Sequence, residues 1–508
     1  MRFPALVALL LGAIVACAFA PLDAWWAALP ALALWLALVH AAPTIRQALW
    51  RGWAFGVGHF TINDNWIQHA FTFQDQMPPV LGYAAPLALA LYLAVYPAIA
   101  AGLAWRVRRP QLDAAWVLFA AAAWILSEWL RSWVFTGYAW DPLGVAWLGL
   151  PFGHIARLGR DIGTYALSGL FVLTAGALLL AVRGRWPLPV AIGALLAVQL
   201  LRGGADTPPA GPQAPRVVTV QPNVAQDQRG DSDQAMMLAR LVRLSGRASA
   251  APRLVLWPEG VIRDFIEDDY PLWVYGNTSP WATRARMASV LGPRDLLMTG
   301  GTALQFEPDG DVATATNSVF LLDDRARIRQ RYDKAHLVPY GEYLPMPWLL
   351  RPLGLSRLVP GEMDFLPGPG PRTLDLPGVG PVGVQVCYEI IFSGHVTDRA
   401  RRPRMIFNPS NEAWFGTWGP PQFLRQAQMR AIEEGLPIVR ATPNSNTSVI
   451  SADGEVLGNV PHHRAGAIDL PLPPARPPTP FARMGNAMAA IVAALLCAAA
   501  IAMRRRRG

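Results

Sequence analysis

Long apolar runs fill the first 202 residues of the chain, and one more run closes it. Most are long enough for a helix to cross a hydrocarbon core of about 30 Å, although some are near the minimum of about 17 residues. The runs cover residues ~4–20, ~24–41, ~52–72, ~80–105, ~114–133, ~162–182, ~187–202 and ~484–503. This pattern predicts a multi-pass α-helical membrane bundle of about eight spans, seven of them in residues 1–202.

Basic side chains cluster in alternate loops between these runs. The clusters are Arg2, Arg46 with Arg51, Arg106 with Arg108 and Arg109, Arg183 with Arg185, and Arg504 to Arg507. Because cytoplasmic loops of membrane proteins carry an excess of basic residues, we expect these loops and the C-terminus in the cytoplasm. The opposite loops carry Asp23, Asp64, Asp75, Asp141 and Asp161, although Arg131, Arg157 and Arg160 dilute the contrast. The same alternation places residues 203–483 outside the cytoplasm.

The first twenty residues also have the features of a signal peptide. Arg2 precedes an apolar stretch, small residues surround Ala18–Ala20, and residues 14–17 are similar to a lipoprotein processing site. An uncleaved first span explains the same residues, and this is our prediction. Cleavage would not change the orientation of the remaining spans.

The pattern of apolar and polar residues changes after the seventh apolar run. Residues 203–215 are rich in glycine and proline and predict a linker. Short β-type runs follow at 217–220, 253–257, 295–301, 317–322, 382–386 and 404–407, and residues 422–435 predict a helix with a glycine stop. Strands alternating with helical patterns indicate an α/β domain, which we place at 216–480. A proline-rich stretch then returns the chain to the last span, 484–503.

Composition supports a membrane protein and excludes other classes. The chain is 53% hydrophobic and only 16% charged, with 20 tryptophans, whereas soluble chains are about 25% charged. Its net charge of +9 lies largely in clusters beside apolar runs, so it does not indicate a nucleic-acid partner. Three cysteines cannot form a disulfide framework, and Cys387 is the one in the polar part of the chain. The eight histidines lack metal-ligand spacing, so we expect neither a metal nor a cofactor.

The basic residues are almost all of one kind. Of 44 lysines and arginines, Lys334 is the single lysine. A compact ammonium has a pKa that its surroundings can shift, while a guanidinium is a broad fork that stays charged. Chance or a surface charge would also account for one lysine. The more specific interpretation is that position 334 takes part in chemistry.

Three predicted strands each end in a reactive side chain. Glu259, Lys334 and Cys387 follow apolar or alternating segments, and loops at strand ends are where α/β folds keep catalytic groups. A thiolate can attack a carbonyl, a neighbouring ammonium lowers the thiol's pKa and stabilises an oxyanion, and a carboxylate can move protons. Taken singly, Cys387 could be a buried structural thiol and Glu259 a cap on a turn. Together they indicate acyl transfer through a thioester.

Longer motifs surround these three residues and extend into the apolar half. They are WPEG at 257–260, YDKAHLVPYGEYLP at 332–345, CYEIIF at 387–392, NPSNEAWFG at 408–416, QMRAIEEGLPIVRAT at 428–442, GWAFGVGHF at 52–60 and SEWLRSWVFTGYAW at 127–140. On these motifs the chain resembles the nitrilase, or carbon–nitrogen hydrolase, superfamily and, more narrowly, the bacterial apolipoprotein N-acyltransferases. The resemblance covers nearly the whole chain. The long middle motif and the fused membrane half are specific to that branch.

The resemblance implies a nitrilase-like α-β-β-α sandwich and a role for each reactive residue. Glu259 is similar to the family's general base, Lys334 to the stabiliser of its tetrahedral intermediate, and Cys387 to its nucleophile. The implied reaction moves an acyl chain from a phospholipid to the free α-amine of a diacylglyceryl-cysteine apolipoprotein, by a ping-pong route that completes lipoprotein maturation. It also implies a monomer in the bacterial inner membrane, with the catalytic domain on the periplasmic side.

Four further residues acquire roles through the same resemblance. Glu342 matches a second glutamate that supports the lysine and the cysteine. Tyr388 and Glu389 match residues beside the nucleophile that assist turnover, and Trp414 lies in a loop expected to contact lipid.

The chain departs from the family pattern at two places. Family members often have Gln-His where this chain has Gln422-Phe423. They often have Ala-Thr-Asn-Thr-Gly where this chain has Ala441-Thr442-Pro443-Asn444-Ser445. Losing a glycine and gaining a proline should reshape that loop, with consequences for acceptor preference rather than for the chemistry.

Other functions remain open on the sequence alone. A membrane-anchored amidase or nitrilase would resolve the thioester with water, although eight spans exceed what an anchor needs. A non-catalytic lipid-binding scaffold would have no need of the triad, and a Cys-His protease would use His336 or His395. The polar residues His59, Asn63, Asp64 and Asn65 lie near a span, where they either line a substrate path or mark an interfacial end.

Overall fold

A computed structural model describes residues 3–73, 77–149, 153–201, 207–226, 234–249, 251–357 and 364–506. Four residues or segments that the sequence analysis used lie outside these ranges: Arg2, Asp75, Arg507 and part of the predicted linker, 203–206. The described chain forms an apolar helical bundle and a domain built on two β-sheets.

The helices follow the apolar runs of the sequence in the first half. They are α1 Pro4–Ala16, α2 Trp25–His40, α3 Ile45–Asn63, α4 Ile67–Ala70, α5 Leu81–Leu93, α6 Val95–Arg106, α7 Ala114–Arg131, α8 Gly159–Val182, α9 Pro187–Leu201, α10 Gln234–Leu244, α11 Leu272–Tyr275, α12 Pro280–Ala288, α13 Pro347–Leu350, α14 Gly419–Glu434, α15 Pro480–Met484 and α16 Ala487–Arg505. Each of the eight predicted spans therefore contains helix.

Four helical segments are long and apolar enough to cross a membrane. They are Leu81–Arg106, Ala114–Arg131, His154–Val182 and Ala487–Arg505. Helices α1, α2 and α9 are apolar but shorter, with 13, 16 and 15 residues. Helix α3 has 19 residues but carries arginine and other polar side chains. The structure thus supports an apolar bundle with four candidate spans, and the count of eight stays a prediction.

Helix α1 packs on α3 with its backbone in direct contact. A Cβ atom added to Gly12 would lie 1.9 Å from the carbonyl oxygen of Phe55, and one added to Gly58 would lie 2.0 Å from that of Leu9. Small residues that let helix backbones touch are typical of packing in membranes. The backbones of α1 and α3 therefore approach each other closely at both glycines.

Twelve strands among the described residues form two sheets of six. They are β1 Arg216–Gln221, β2 Arg253–Leu256, β3 Leu296–Phe306, β4 Val312–Asp323, β5 Ile328–Asp333, β6 Thr373–Leu376, β7 Gly380–Val384, β8 Met405–Pro409, β9 Ile438–Ala441, β10 Thr447–Ile450, β11 Val456–Val460 and β12 Gly466–Pro471. The orders are β12-β1-β2-β3-β4-β5 and β11-β10-β9-β8-β7-β6. In each sheet three central neighbours, β1-β2-β3 and β7-β8-β9, run parallel.

The two sheets pack face to face between helices. One apolar cluster joins inward side chains of both sheets, such as Leu256 and Met298 of the first and Val384 and Phe407 of the second. A second cluster packs α10 and α12 on the outer face of the first sheet, and α14 covers the second. The layers are therefore α-β-β-α, and the six strands and one helix predicted in this domain are confirmed.

Helix α14 also joins this domain to the bundle. The carboxylate of Glu433 accepts hydrogen bonds from the backbone N–H of Thr164 at 2.7 Å and from the Ser393 hydroxyl at 2.7 Å. Its other oxygen lies 2.9 Å from Nε of Arg430, and both side chains are buried. A buried charge needs a close opposite charge and hydrogen bonds, and this pair has both. Helix α8 and the segment after Cys387 are thereby fixed to one another.

Candidate active site

Three strand ends bring the predicted catalytic side chains to one place. Glu259 follows β2 and Lys334 follows β5, both in the first sheet, while Cys387 follows β7 in the second. Because the two sheets face each other, side chains from both can meet at their common edge. Lys334 acts electrostatically on the Cys387 thiol, as do Glu259 and Glu342, so the four groups share one site.

The ammonium of Lys334 lies between two carboxylates. Its Nζ is 2.9 Å from Oε1 of Glu342 and 3.6 Å from Oε1 of Glu259. The lysine side chain is only 1% exposed. Burial alone would lower the pKa of Lys334, but the charges of Glu342 and Glu259 raise it above the usual value. The lysine is therefore a cation at neutral pH.

Both carboxylates are also oriented by the backbone. The second oxygen of Glu259 accepts from the N–H of Asn411 at 2.7 Å, and that of Glu342 accepts from the N–H of Val338 at 2.8 Å. Hydrogen bonds to charged groups are shorter and stronger than neutral ones. Each glutamate thus keeps one oxygen toward the lysine and one toward the backbone.

Asn317 links the two glutamates and was missed by the sequence analysis. Its Nδ2 donates to Oε1 of Glu259 at 2.7 Å and to Oε1 of Glu342 at 2.8 Å. Its carbonyl accepts from the N–H of Lys334 at 2.8 Å. One residue of β4 therefore aligns three charged partners. In the sequence, Asn317 is only an amide within a predicted strand. The register of β4 against β5 is needed to see that it reaches the glutamates.

We expect Asn317→Ala to lower kcat for acyl transfer about 10- to 100-fold, because each lost hydrogen bond to a charged group costs about 1.5–3 kcal/mol. Steady-state kinetics across pH would measure the loss together with a shift of the pH profile. Asn459→Ala, on the exposed edge strand β11, is the matched control. An unchanged pH profile and kcat in Asn317→Ala would contradict this positioning role.

Cys387 occupies a strained turn at the end of its strand. Its φ of 49° lies in the left-handed region, which costs a residue with a side chain about 1–3 kcal/mol. A 3₁₀ turn, Cys387–Ile391, begins at this residue. Nucleophiles of other α/β enzymes sit on similar sharp turns that present the reactive atom.

The resting thiol is protonated. Burial, and after it the negative charge of Glu259, raises the pKa of Cys387 to about 12, although Lys334 and the Ser410 hydroxyl lower it. Lys334 thus acts in the direction that the sequence predicts, but burial outweighs it. Attack therefore requires a base that takes the proton as the bond forms.

Glu389 forms hydrogen bonds both with the loop after Lys334 and with the residue before Cys387. One oxygen accepts from the N–H of Ala335 at 2.7 Å and of His336 at 3.0 Å, and the other from the N–H of Val386 at 2.6 Å. The Tyr332 hydroxyl donates to the same carboxylate at 2.9 Å. Burial raises the pKa of Glu389 to about 7 despite these donors and Lys334. Its hydrogen bonds hold the residues after Lys334 against the residue before Cys387.

Tyr388 and Trp414 face the bundle rather than the lysine. The Tyr388 hydroxyl donates to the carbonyl of Gly137 at 3.3 Å, in the loop after α7. The Trp414 ring lies 5.5 Å from that of Phe73, edge to face. Next to it, Phe415 packs on Trp66 with ring centroids 4.5 Å apart. The predicted lipid-contact loop thus sits on the bundle beside α4.

The two departures from the family pattern lie near the contacts that Trp414 and Phe415 make with the bundle. Phe423 is buried with its ring 4.9 Å from that of Trp140, whose indole N–H donates to Gln422 at 2.8 Å. An apolar ring fits that aromatic packing. In the divergent loop, the Ser445 hydroxyl donates to Glu412 at 3.1 Å, two residues before Trp414. The loop therefore contacts the segment that carries Trp414.

Two of the polar residues near the third predicted span form hydrogen bonds with the segment after α7. His59, Asn63 and Asp64 are buried. Asn63 donates to Asp141 at 3.2 Å, and Tyr138 donates to Asp64 at 2.8 Å. Asn63 and Asp64 thus connect the end of α3 to the loop after α7.

The histidines of the protease hypothesis do not pair with the nucleophile. His336 stacks on Phe392 with ring centroids 3.8 Å apart, and burial lowers its pKa to about 4. The groups that act on Cys387 are instead the carboxylates, the ammonium and Ser410.

Two family models match the chain, one for each half. Residues 11–177 match the apolipoprotein N-acyltransferase N-terminal domain, and residues 216–473 match carbon–nitrogen hydrolase.

Relatives match over nearly the full length. The chain is 32% identical to the apolipoprotein N-acyltransferase of Rhodopseudomonas palustris, covering 99% of this chain and 96% of the relative. It is 33% identical to that of Ralstonia nicotianae (100% and 95%) and 30% identical to that of Vibrio vulnificus (99% and 97%).

Solved structures resemble the catalytic half at a lower level. A mutant amidase from Nesterenkonia sp. AN1, with the acetamide moiety of fluoroacetamide on its active-site cysteine, has a TM-score of 0.35 and 18% identity over 52% of this chain and 92% of its own. A nitrilase-superfamily protein of Saccharomyces cerevisiae has a TM-score of 0.35 and 16% identity over 51% and 90%. The fold assignment rests on the family model and the sheet topology rather than on these scores.

Proposed function

Because the chain belongs to the apolipoprotein N-acyltransferase family, it is an acyltransferase, and we propose that Cys387, Lys334 and Glu259 carry its reaction. The observation that supports this assignment most is the convergence of a buried thiol with an ammonium held between two carboxylates. All of these groups come from one chain, so a monomer suffices.

In the first half-reaction, the Cys387 sulfur attacks the ester carbonyl of a phospholipid. The Glu259 carboxylate takes the thiol proton as the carbon–sulfur bond forms. This coupling is necessary because the pKa of Cys387 is raised to about 12, so little thiolate exists beforehand. The carbonyl oxygen gains the negative charge of the tetrahedral intermediate.

Lys334 and the N–H of Tyr388, the residue after the nucleophile, then stabilise that oxyanion. Donors fixed in a buried site do this far better than water, because they need no reorganisation. Collapse of the intermediate breaks the ester bond. The leaving lysophospholipid oxygen takes the proton from Glu259, and a thioester remains on Cys387.

In the second half-reaction, the α-amine of the apolipoprotein attacks the thioester. Glu259 accepts the amine proton as the carbon–nitrogen bond forms. The carbon–sulfur bond then breaks, the sulfur recovers the proton, and an amide is released. A diacylglyceryl-cysteine acceptor would bring its own acyl chains to the aromatic junction formed by Trp66, Trp414 and Phe415, which lies at the apolar bundle.

The catalytic domain is proposed to lie on the periplasmic side of the inner membrane, with the C-terminus in the cytoplasm. Two features support this orientation. The basic loops predicted to be cytoplasmic follow α6, α8 and α16, at the ends remote from the domain. The domain contacts the opposite end, at Thr164 and Gly137.

Mass spectrometry of the full-length protein tests the proposed chemistry. Incubation with phospholipid should add the mass of one acyl chain, mapped to the Cys387 peptide. A diacylglyceryl lipopeptide with a free α-amine should then discharge the thioester and gain the amide, while its N-acetylated form should not. Equal discharge by water alone would instead favour the hydrolase hypothesis, and absence of any adduct would favour a scaffold.

A further inference from the structure

The bundle has a second polar end, opposite the catalytic domain. Helix α7 begins there after Asp113, and α8 and α16 end there near Arg183 and Arg504. The 18 residues of α7 separate this end from the domain by about 27 Å at about 1.5 Å per residue. A molecule bound here cannot also reach Cys387.

Five arginines from three chain segments meet at this end. We call them the arginine cluster: Arg108, Arg109, Arg183, Arg185 and Arg504. Segment 106–113 supplies two, the turn after α8 supplies two, and the end of α16 supplies one. Neighbouring backbone holds the segments together, because Arg504 donates to the carbonyl of Val107 and Arg185 to that of Leu112.

His40, at the end of α2, forms the back of the cluster. Arg108 and Arg183 both lie close enough to act on the charge of its imidazole, and the backbone of Arg109 lies against it. The ring packs edge-on against Trp116, with centroids 4.9 Å apart. Its Nε2 is buried and has no hydrogen-bond partner, and the same is true of Nε of Arg504. Buried polar atoms without partners indicate a place for an absent acceptor.

The positive charge of the cluster is not balanced by acids. In the described parts of the chain, none of its five arginines forms an ion pair with a carboxylate, whereas buried arginines of the catalytic domain such as Arg253 do. The carboxylate whose charge acts on the imidazole of His40 is that of Asp113. This carboxylate already accepts a hydrogen bond from the backbone N–H of Trp116 at 2.8 Å, which caps α7. An anionic group is the complementary ligand.

Apolar surface surrounds the arginines on the lipid side. Val182 is 82% exposed, Trp186 59% and Leu103 50%. A ligand that satisfies both surfaces has an anionic head and acyl chains. Basic pockets between membrane helices bind phospholipid headgroups in this way.

We propose that the arginine cluster binds the phosphate group of an anionic phospholipid from the leaflet opposite the catalytic domain. Arg108, Arg183 and Arg504 surround the phosphate, and the acyl chains lie along α6, α8 and α16. This lipid is a bound partner and not the acyl donor, because of its distance from Cys387.

Native mass spectrometry of the full-length protein in detergent tests this site without turnover. Phosphatidylglycerol should be retained more strongly than phosphatidylcholine. Arg183→Gln should weaken retention about fivefold, and the triple variant Arg108→Gln/Arg183→Gln/Arg504→Gln on the order of 100-fold. Arg183 is exposed, so its single variant keeps the test valid if the triple variant folds poorly.

Matched controls separate the site from general charge. Arg286→Gln/Arg325→Gln/Arg372→Gln removes the same charge from the exposed surface of the catalytic domain and should leave lipid retention and acyl transfer unchanged. A separate arm adds inorganic phosphate at millimolar concentration. Equal retention of phosphatidylglycerol by wild type and Arg183→Gln would overturn the proposal. So would a site that takes inorganic phosphate but shows no preference between the two lipids.

Discussion

Replacing Cys387 with alanine is expected to abolish both the acyl-enzyme and the transfer of an acyl chain to apolipoprotein. Loss of a nucleophile lowers kcat by several orders of magnitude, on the order of 10⁴–10⁶-fold. The remaining site has an ammonium and carboxylates but no atom that can form the thioester. Intact-mass measurement after incubation with phospholipid, alongside an acyl-transfer assay, gives the result.

The chain supplies its own controls for this experiment. Cys17, directly after α1, and Cys497, in the middle of α16, are both partly buried. Cys17→Ala and Cys497→Ala should each retain full activity and a single acyl adduct. An adduct that persists in Cys387→Ala, or disappears in Cys497→Ala, would show that the nucleophile is elsewhere.

Lys334→Arg is expected to lose nearly all activity although it preserves the charge. The ammonium fits within 2.9 Å of Glu342 and 3.6 Å of Glu259 in a site that is closed to solvent. A planar guanidinium needs more room and directs its donors in a fixed fork, so it cannot keep both contacts and also reach the oxyanion. A loss of about 10²–10³-fold in kcat is expected, as for removal of an oxyanion donor.

A variant that removes the positive charge and a control at an exposed position complete the experiment. Lys334→Met should be at least as inactive as Lys334→Arg, while Arg325→Lys, an exposed exchange of the same two residue types, should be silent. Melting temperatures would show that the variants fold. Because Glu342 and Glu259 raise the pKa of Lys334, the wild-type rate should not fall through lysine deprotonation between about pH 8 and 10. Full activity in Lys334→Arg would refute the special role of the lysine.

Much of the candidate site was predictable because its reactive residues lie directly after strands. Glu259, Lys334 and Cys387 each follow a recognisable run, and Lys334 is conspicuous in a chain whose other cations are arginine. The predicted strands at 253–257 and 382–386 correspond to β2 and β7, whose ends meet. The triad roles themselves are still predictions, which the two substitutions above test.

Asn317 was not predictable, because its function depends on the register of three strands. Along the sequence it is an ordinary asparagine at the start of a predicted strand. Its amide meets Glu259 and Glu342 only because β4 lies between β3 and β5. For a similar reason β10 and β11 escaped prediction: the strands are short, and their pairing rather than their composition defines them.

The pKa of Cys387 also required the folded structure. The sequence predicts which charges lie near the thiol but not how deeply the thiol is buried, and burial has the larger effect on its pKa. In the bundle, hydropathy located each helix but not its length. Proline and small residues break the fourth run into α5 and α6, and polar side chains set α3 apart from the other helices.

Helix α16 completes the bundle from the far end of the chain, with Ala489 and Ala493 packed against Ala122, Ile125 and Tyr165. Its partners α7 and α8 are synthesised first, followed by the whole catalytic domain. At roughly 5–20 residues per second, translation of the roughly 300 residues between them takes on the order of tens of seconds. During biogenesis the α7–α8 surface that α16 later covers is therefore exposed until the end of the chain has been synthesised. A chain that ends before residue 487 would leave the flank formed by Ala122, Ile125 and Tyr165 without its α16 contacts.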